Sequence, residues 1–339
     1  MKLAQRREKI LSAVVERYTA SGEPVGSSAI ADSIGVSSAT VRNELKALDV
    51  DGYLEQPHTS AGRVPTKQGY RYYIDYLMPH RQPSERVSSH IEHIIRSGRA
   101  SPEYILRKTA SVLSELTDMA AVATSPSSAD ARVHRIRFVS TGRHSSMAVL
   151  VTSNGMVQSR LFRCEFVLTP ELLEMFDKAI NDRFSGIRLT EITRGFLQTT
   201  ASSMGELSLF IPDVLMALYE AVQNALQVSV AVSGETNLLF SDGYDIRYAR
   251  NVMRVLADSN GIVELLNHSR GDAVYLGEES RIGGLADSAV ITSRYEIAGE
   301  NAGAVAVIAP LRIDYCTVMG EVSFAASCVS RTIGELLEH

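Results

Sequence analysis

The sequence predicts an α+β protein with more than one domain. Its 339 residues exceed the length at which a single hydrophobic core usually keeps growing, so two or three domains are expected. Residues 1 to 66 show three helical patterns followed by two short strand patterns. Beyond residue 102 the order is helix, strands, helix, a mainly helical block, three more strands and a final helix, which is typical of one α+β domain interrupted by another.

The first predicted helix runs from Lys2 to Thr19. Its apolar residues recur at spacings of three and four, which is the pattern of an amphipathic helix. The stretch SGEPVGSS then ends it. The residues that form the predicted buried face are Ile10, Leu11, Val14, Val15 and Tyr18.

Two further helices follow at once. Ser27 is expected to cap a short second helix, and Gly35 to make a tight turn. Ser37 or Ser38 then caps a third helix that ends near Asp51. Two short helices joined by a glycine-containing turn form a helix-turn-helix.

A β-hairpin is predicted next. The alternation over residues 53–56 indicates one strand, and Arg63-Val64-Pro65 indicates a returning one. The tip of this hairpin is PHTSAGR, whose small and polar residues suit a turn. A helix-turn-helix followed by such a hairpin is a winged helix, which we expect to occupy residues 1–80.

The rest of the chain is divided by composition. Proline and serine clusters at both ends of residues 81–103 predict a linker that contains a short helix. Residues 104–188 and 272–339 are expected to form the two parts of one α+β domain, with a mainly helical insert at 189–271. In the first part, Ser153-Asn154-Gly155 is predicted to join two strands as a hairpin.

Composition excludes several classes of protein. No apolar run approaches the roughly 20 residues that a membrane-spanning helix needs, and the charged N-terminus has no signal-peptide core behind it. We therefore expect a cytoplasmic protein without membrane partners. The three cysteines, Cys164, Cys316 and Cys328, are far apart and odd in number, so buried free thiols are favoured over disulfides or a zinc site.

The net charge of -5 is unusual for a nucleic-acid-binding protein until it is divided along the chain. Residues 1 to 80 carry 10 Lys and Arg against 9 Asp and Glu, so the acidic excess lies in the remainder. From Gln56 to Arg81 the charged residues are Arg63, Lys67, Arg71 and Arg81 against Asp75 alone, apart from histidine. This segment predicts a local positive patch of the kind that contacts phosphate.

The third helix has a face with DNA-reading chemistry. If Val41, Leu45 and Leu48 are buried, the rotation of about 100° per residue directs the opposite face outward. Asn43 could pair with adenine, and Arg42 with guanine or a phosphate. The alternative is an ordinary solvated helix face. The outward residues are Ala39, Asn43 and Lys46, with Thr40 and Arg42 on the flanks.

Phosphate contacts are predicted at two further places. Backbone N–H groups and hydroxyls at the start of the third helix, with Ser37, Ser38 and Thr40, can hold a phosphate. The hairpin tip offers an imidazole, hydroxyls and one guanidinium for a sugar-phosphate backbone or a narrow minor groove. An exposed turn without function is the alternative for the tip. These tip residues are His58, Thr59, Ser60 and Arg63.

The second half of the chain shows no motif of catalysis. The sequence lacks GxGxxG, a P-loop and GxSxG. Glu278 and Glu279 after a predicted strand indicate a turn rather than a catalytic pair. His90 and His93 are three residues apart, but without a third ligand nearby they are favoured as a solvated pair rather than a metal site. We expect neither enzymatic activity nor a cofactor or metal.

The predicted insert is more apolar than a surface segment needs to be. Part of this apolar surface fills its own core. An apolar face left over suits a self-complementary two-fold interface, which a palindromic DNA site also requires. The apolar residues are Phe196, Leu197, Leu207, Leu209, Phe210, Ile211, Leu215 and Leu218.

Longer stretches resemble a known family. GEPVGSSAIAD, GVSSATVRNELKALDVDGYLEQPHTSAGRVPT and GYRYYIDYL closely resemble the HrcA family of heat-inducible transcription repressors, and the similarity continues at YLGEE and APLRIDY. The resemblance spans the full chain, and the block from Gly35 to Thr66 is long enough to be highly specific. Two departures are Leu45, where methionine is common, and APLRIDY in place of a more usual Gly-Pro-Thr-Arg-Met-Asp-Tyr.

The resemblance implies a repressor that binds as a homodimer to an inverted repeat in double-stranded DNA upstream of chaperone operons. It also implies support of the active state by the GroEL chaperonin, a GAF-like central domain and an inserted dimerisation domain. The third helix would be the recognition helix and the hairpin the wing. The DNA-binding residues so predicted are Ser37, Ser38, Ala39, Thr40, Arg42, Asn43, Lys46, His58, Thr59, Ser60, Arg63, Lys67 and Arg71.

Two alternative functions also use the winged helix. In the first, the C-terminal half senses a small ligand and the winged helix is its output. In the second, the winged helix binds structured RNA in place of duplex DNA.

Overall fold

The computed structural model describes residues 3–58, 61–97, 101–126, 130–240, 246–269, 271–297 and 300–337. It begins with three helices that pack around the apolar face of the first. Because the apolar residues of α1 recur every three or four positions, they form one stripe, and Ile10, Leu11, Val14 and Val15 are buried as predicted. The helices are α1 (Gln5–Ser21), α2 (Ser27–Ile34) and α3 (Ser38–Val50).

The starts of α2 and α3 differ in how they are capped. Ser37 is the N-cap of α3, and its Oγ accepts a hydrogen bond from the Thr40 N–H at 3.2 Å. The predicted cap at Ser27 is wrong, because Gly26 holds that position and Ser27 is the first residue of α2. The Ser27 hydroxyl lies 2.9 Å from the Ser38 hydroxyl instead. It therefore joins α2 to α3 and helps to fix the angle of the helix-turn-helix.

The predicted hairpin is present, with β1 (Leu54–Glu55) antiparallel to β2 (Val64–Pro65). At the tip end of this strand pair, the backbone of Arg63 exchanges two hydrogen bonds of 2.9 Å with that of Val25. A side chain at Gly62 would bring its Cβ to 2.4 Å from the Val25 carbonyl carbon. The glycine of the hairpin is therefore required because the backbone of the tip meets the Val25 backbone at this point.

A five-stranded antiparallel sheet forms the centre of the second domain. Helices α6 and α13 cover one face, with α5 packed on both of them, and the other face is covered by α10, α11 and α12. The helices are α5 (Glu85–Arg96), α6 (Pro102–Thr117), α10 (Asn237–Phe240), α11 (Ile246–Leu256), α12 (Ser259–Asn267) and α13 (Tyr315–Leu337). In spatial order the strands are β7 (Val230–Ser233), β3 (Ala120–Thr124), β10 (Glu300–Pro310), β9 (Ser288–Ile297) and β8 (Ala273–Leu276).

Residues 81–103 differ from the predicted linker. Helix α5 packs against α6 and α13, and Ile91 and Ile95 are fully buried in the shared core. Polar residues that suggested a linker cap helices, since Ser84 accepts a hydrogen bond from the Val87 N–H at the start of α5 and Ser101 accepts one from the Tyr104 N–H at the start of α6. The segment is therefore part of the second domain.

The insert is present, but its boundaries differ from those predicted. Residues 131–225 build a separate core in which three strands in the order β4-β5-β6 pack on α7, α8 and α9. The hairpin expected in the first part of the α+β domain belongs to this insert, whereas α11 and α12 belong to the large sheet. The elements are β4 (Val133–Gly142), β5 (Ser145–Thr152), β6 (Val157–Arg163), α7 (Pro170–Phe184), α8 (Arg194–Ser202) and α9 (Pro212–Leu226).

The winged helix and the second domain share one hydrophobic core. Helix α4 (Lys67–Tyr72), which continues as a π turn over Tyr73–Leu77, lies between them. The rings of Tyr70 and Tyr315 have their centroids 5.6 Å apart, and both side chains are buried. The tyrosine-rich stretch after the hairpin therefore seats the winged helix on α13.

Candidate nucleic-acid interface

Helix α3 presents the predicted face to solvent. Val41, Leu45 and Leu48 are buried against α1 and α2, which orients the opposite side of the helix outward. Ala39, Arg42, Asn43 and Lys46 are exposed there, and Ser38 and Thr40 lie half-buried at the N-terminal edge. The helix thus offers a small residue, an amide and two cations on one accessible surface.

The hydroxyls at the start of α3 are already engaged. Ser37 and Thr40 hydrogen-bond to each other through their side chains at 2.9 Å, and Ser38 is bonded to Ser27. These contacts hold the helix start in place. Ser37 remains exposed, at the end of the helix where the dipole favours an anion.

The acidic residues of α3 are neutralised within the winged helix. Arg7 lies 3.0 Å from Glu44 and 2.9 Å from Asp51. Arg63 lies 2.9 Å from Asp49. In the described part of the chain, the cations of Arg42 and Lys46 make no ion pair. Pairing of the carboxylates therefore leaves the exposed face of α3 with uncompensated positive charge.

The wing tip is only partly described. His58 is exposed, and Gln56 closes the base of the tip by donating a hydrogen bond of 3.0 Å to the Ala61 carbonyl. Thr59 and Ser60 lie outside the described residues. The prediction for His58 depends on its exposed position at the wing tip.

Arg63 departs from the expectation that it would reach outward into a minor groove. Its guanidinium folds back onto Asp49 of α3, and the side chain is only 16% exposed. Its backbone is held beside Val25 at the tip end of the strand pair. This position explains the contact, since it brings the side chain within reach of the Asp49 carboxylate. Arg63 contributes by neutralising Asp49.

We expect Arg63→Ala to weaken binding to every DNA duplex by up to about 1 kcal/mol, because Asp49 would then repel phosphate next to the exposed face of α3. Fluorescence anisotropy with an operator and a scrambled duplex measures this change. Adding Asp49→Asn should restore most of the affinity. A loss confined to the operator, or one that Asp49→Asn leaves unrepaired, would contradict the electrostatic role.

Lys67 and Arg71 are not part of a free positive patch either. Lys67 Nζ lies 3.0 and 3.1 Å from the two carboxylate oxygens of Glu278. Arg71 binds Glu279 through Nε at 3.2 Å and Nη2 at 2.6 Å. The predicted excess of basic residues after the wing is thus largely balanced by acidic residues more than 200 positions away, which the local sequence cannot indicate.

The remaining candidate sites show structural roles. His90 Nε2 lies 3.3 Å from Glu115, and among the described residues no three His, Cys, Asp or Glu side chains group as metal ligands. The three cysteines are buried free thiols, as predicted, and burial raises the pKa of Cys164 to about 11.

In the described ranges, no helix has the length and apolar character to cross a bilayer.

Comparison with known protein families shows to which family the chain belongs. Residues 2–75 match the family model described as winged helix-turn-helix transcription repressor, HrcA DNA-binding. Residues 103–319 match the model of the HrcA protein C terminal domain. The chain belongs to the HrcA family. This is a family of transcription repressors with a DNA-binding winged helix and not a family of enzymes.

Individual relatives agree with this assignment. The heat-inducible transcription repressor HrcA of Clostridium perfringens is 33% identical over 93% of this chain and 94% of its own length. That of Desulfitobacterium hafniense is 31% identical over 99% of this chain and 98% of its own. A crystal structure of a hypothetical protein at 2.2 Å resolution, 21% identical, has the same fold with a TM-score of 0.67, covering 99% of this chain and 100% of that one.

Proposed function

We propose that this chain represses transcription in the cytoplasm by binding double-stranded DNA as a homodimer, with one winged helix on each half of an inverted repeat. One observation carries the proposal above the others. The accessible face of α3 holds Arg42, Asn43 and Lys46 without ion-pair partners among the described residues, while the carboxylates of the same helix are paired. Such a face suits the polyanionic major groove.

Each predicted contact has a role in this proposal. Asn43 and Arg42 would read base edges, and Ala39 would allow close approach or contact a thymine methyl. Lys46 would bind phosphate. The helix start, with Ser37, Ser38 and Thr40, and the wing tip, with His58, Thr59 and Ser60, would contact the sugar-phosphate backbone and set the register.

The insert supports the dimer. Its surface carries apolar side chains that its own core leaves uncovered, among them Leu161 at 63% exposure and Leu209 at 81%. A groove of about 330 Å³ lies on the same subdomain. Its apolar lining is Leu197, Ala201, Pro212, Leu215 and Met216. We propose that this surface is the dimer interface, because a two-fold contact buries the same patch on both copies.

A heat response would act through the folded state of the repressor. Following the family resemblance, we propose that GroEL supports the active state and that the repressed genes include chaperone operons. Footprinting of genomic fragments with and without GroEL tests this. We expect two protected half-sites about one helical turn apart, two chains per site, and stronger protection with GroEL. A single protected half-site with one chain bound would contradict the dimer, and preference for structured RNA would contradict the DNA target.

A ligand-sensing regulator is the second candidate, and one cavity favours it. The proposed GAF-like domain holds a cavity of about 280 Å³ between α12 and the turn after β8. His268, Tyr275 and Arg281 are among the lining residues, and Arg281 has a positive φ of 58°. Left-handed backbone at a non-glycine residue often accompanies function. A thermal-shift screen with nucleotides and metabolites tests this candidate, since a specific ligand raises Tm.

A further inference from the structure

The acidic turn of the second domain holds two cations of the winged helix. We call residues 277–280, which follow β8, the acidic turn. Glu278 takes the Lys67 ammonium with both oxygens, and Glu279 takes the Arg71 guanidinium with both oxygens. Arg71 Nη2 also donates to the Val274 carbonyl at 2.6 Å. The contacts join segments that are 203 to 211 positions apart in sequence.

The geometry of the turn is adapted to these cations. Gly277 has a φ of 56°, and a Cβ there would lie 2.9 Å from Lys67 Nζ and 2.5 Å from the Ala286 carbonyl oxygen. Glu279 Oε2 also accepts the Leu276 N–H at 2.8 Å, which fixes its carboxylate beneath Arg71. The hydrogen bond from Lys67 holds the pKa of Glu278 below its usual range. Glu278 is therefore an ionised partner of Lys67 at neutral pH.

These side chains can change partner without separating the domains. Tyr70 and Tyr73, on the same helical segment as Lys67 and Arg71, stay buried in the shared core. The ion pairs lie at the solvent-exposed edge of this core, where the side chain of Lys67 is 40% exposed and that of Glu278 is 75% exposed. Exchange of one anion for another therefore leaves the tyrosine packing intact. Arg71 has two further partners, Asp75 at 3.0 Å and the Val274 carbonyl at 2.6 Å.

The geometry points to a competition: the carboxylates of Glu278 and Glu279 occupy Lys67 and Arg71 in the free protein, and DNA phosphates must displace them to gain these two contacts. This inference depends on the proposed DNA-binding function. The turn lowers affinity for every duplex in two ways, by occupying two cations and by placing two negative charges beside the approaching backbone. The contacts of α3 with base edges are unaffected. The turn therefore increases the fraction of the DNA-binding free energy that depends on the base sequence.

Glu278→Gln combined with Glu279→Gln tests the competition in the full-length chain. Glutamine retains an oxygen for the Leu276 N–H, so the turn should keep its shape. We expect about tenfold tighter binding to both an operator and a scrambled duplex, a change that corresponds to about 1.4 kcal/mol. The plot of log affinity against log salt should steepen by up to about 1.8, which is 0.9 for each phosphate gained.

The matched control is Glu191→Gln combined with Glu235→Gln, which changes net charge equally at exposed residues outside the turn. It should leave the salt dependence unchanged. A second comparison adds Lys67→Gln and Arg71→Gln to the natural chain and to the turn variant, which is Glu278→Gln with Glu279→Gln. The loss of DNA affinity should be larger in the turn variant. Thermal unfolding of each variant verifies that it is folded.

Two results would overturn the inference. Affinity of the turn variant equal to that of the control would show that the carboxylates do not compete, and weaker binding would show that the turn positions the winged helix for DNA. Titration of the natural chain and Asn43→Ala on both duplexes separates this failure from failure of the proposed function. If the natural chain prefers the operator to the scrambled duplex and Asn43→Ala does not, then α3 reads the DNA sequence. That conclusion holds for any result with the turn variant.

Discussion

Asn43→Ala is expected to weaken operator binding by about 1–3 kcal/mol and to relax the preference for one base pair. The amide is exposed on the accessible side of α3, opposite Val41, Leu45 and Leu48, so its removal leaves the helix core intact. A side chain that pairs with a base edge contributes to discrimination rather than to general affinity. Competition titrations with operators changed at single positions measure both effects.

The control for this variant makes the same chemical change elsewhere. Asn260→Ala alters an exposed residue of α12 in the second domain and should leave DNA binding unchanged. If the Arg42 guanidinium makes a bidentate contact with guanine, Arg42→Ala should weaken operator binding selectively, as Asn43→Ala does. If Arg42 binds phosphate, its removal should weaken binding to all duplexes equally. Unchanged operator affinity in both helix variants would show that α3 is not the recognition helix.

Gly320→Ala is expected to destabilise the protein by about 1–3 kcal/mol, the usual cost of overpacking. The connector over residues 79–84 crosses α13 so closely that a Cβ at Gly320 would lie 2.2 Å from the Arg81 carbonyl oxygen. The Cys316 thiol donates to the Pro79 carbonyl at 3.1 Å one turn earlier. The connector determines where the winged helix sits, so chemical denaturation and operator binding should both change.

The same helix supplies the opposite control. Gly334→Ala also lies in α13, but nothing stands within 4 Å of the added Cβ. Alanine favours a helix over glycine by up to about 1 kcal/mol, so this variant should be more stable than the natural chain. Equal effects of the two substitutions would mean that the connector does not pack on α13 in solution.

The winged helix was predictable because its signals are local. Helix periodicity placed Val41, Leu45 and Leu48 in the core, and the Gly35 turn has the left-handed φ of 74° that favours glycine. The exposed side of α3 follows from the same rotation. Each of these features depends on neighbours within one or two helical turns, so tertiary contacts did not override them.

The boundaries of the insert were not predictable in this way. The alternation along β4 and β5 predicts strands correctly but does not say which sheet they join. In the structure β3 pairs with β7 across the whole insert, with Ala121 opposite Ser233. Similarly, α11 and the helices of the insert are both amphipathic, and only packing shows that α11 lies on the large sheet.

The sequence by itself determined the family, the helix-turn-helix and the outward face of its third helix, since short-range spacing and a specific block of residues suffice for these. Only the tertiary structure decided which cations are free. Arg63, Lys67 and Arg71 are equivalent basic residues in the sequence, yet each finds a carboxylate, at Asp49, Glu278 and Glu279. The physical reason is that electrostatic energy depends on distance in space, which a folded chain sets independently of separation in sequence.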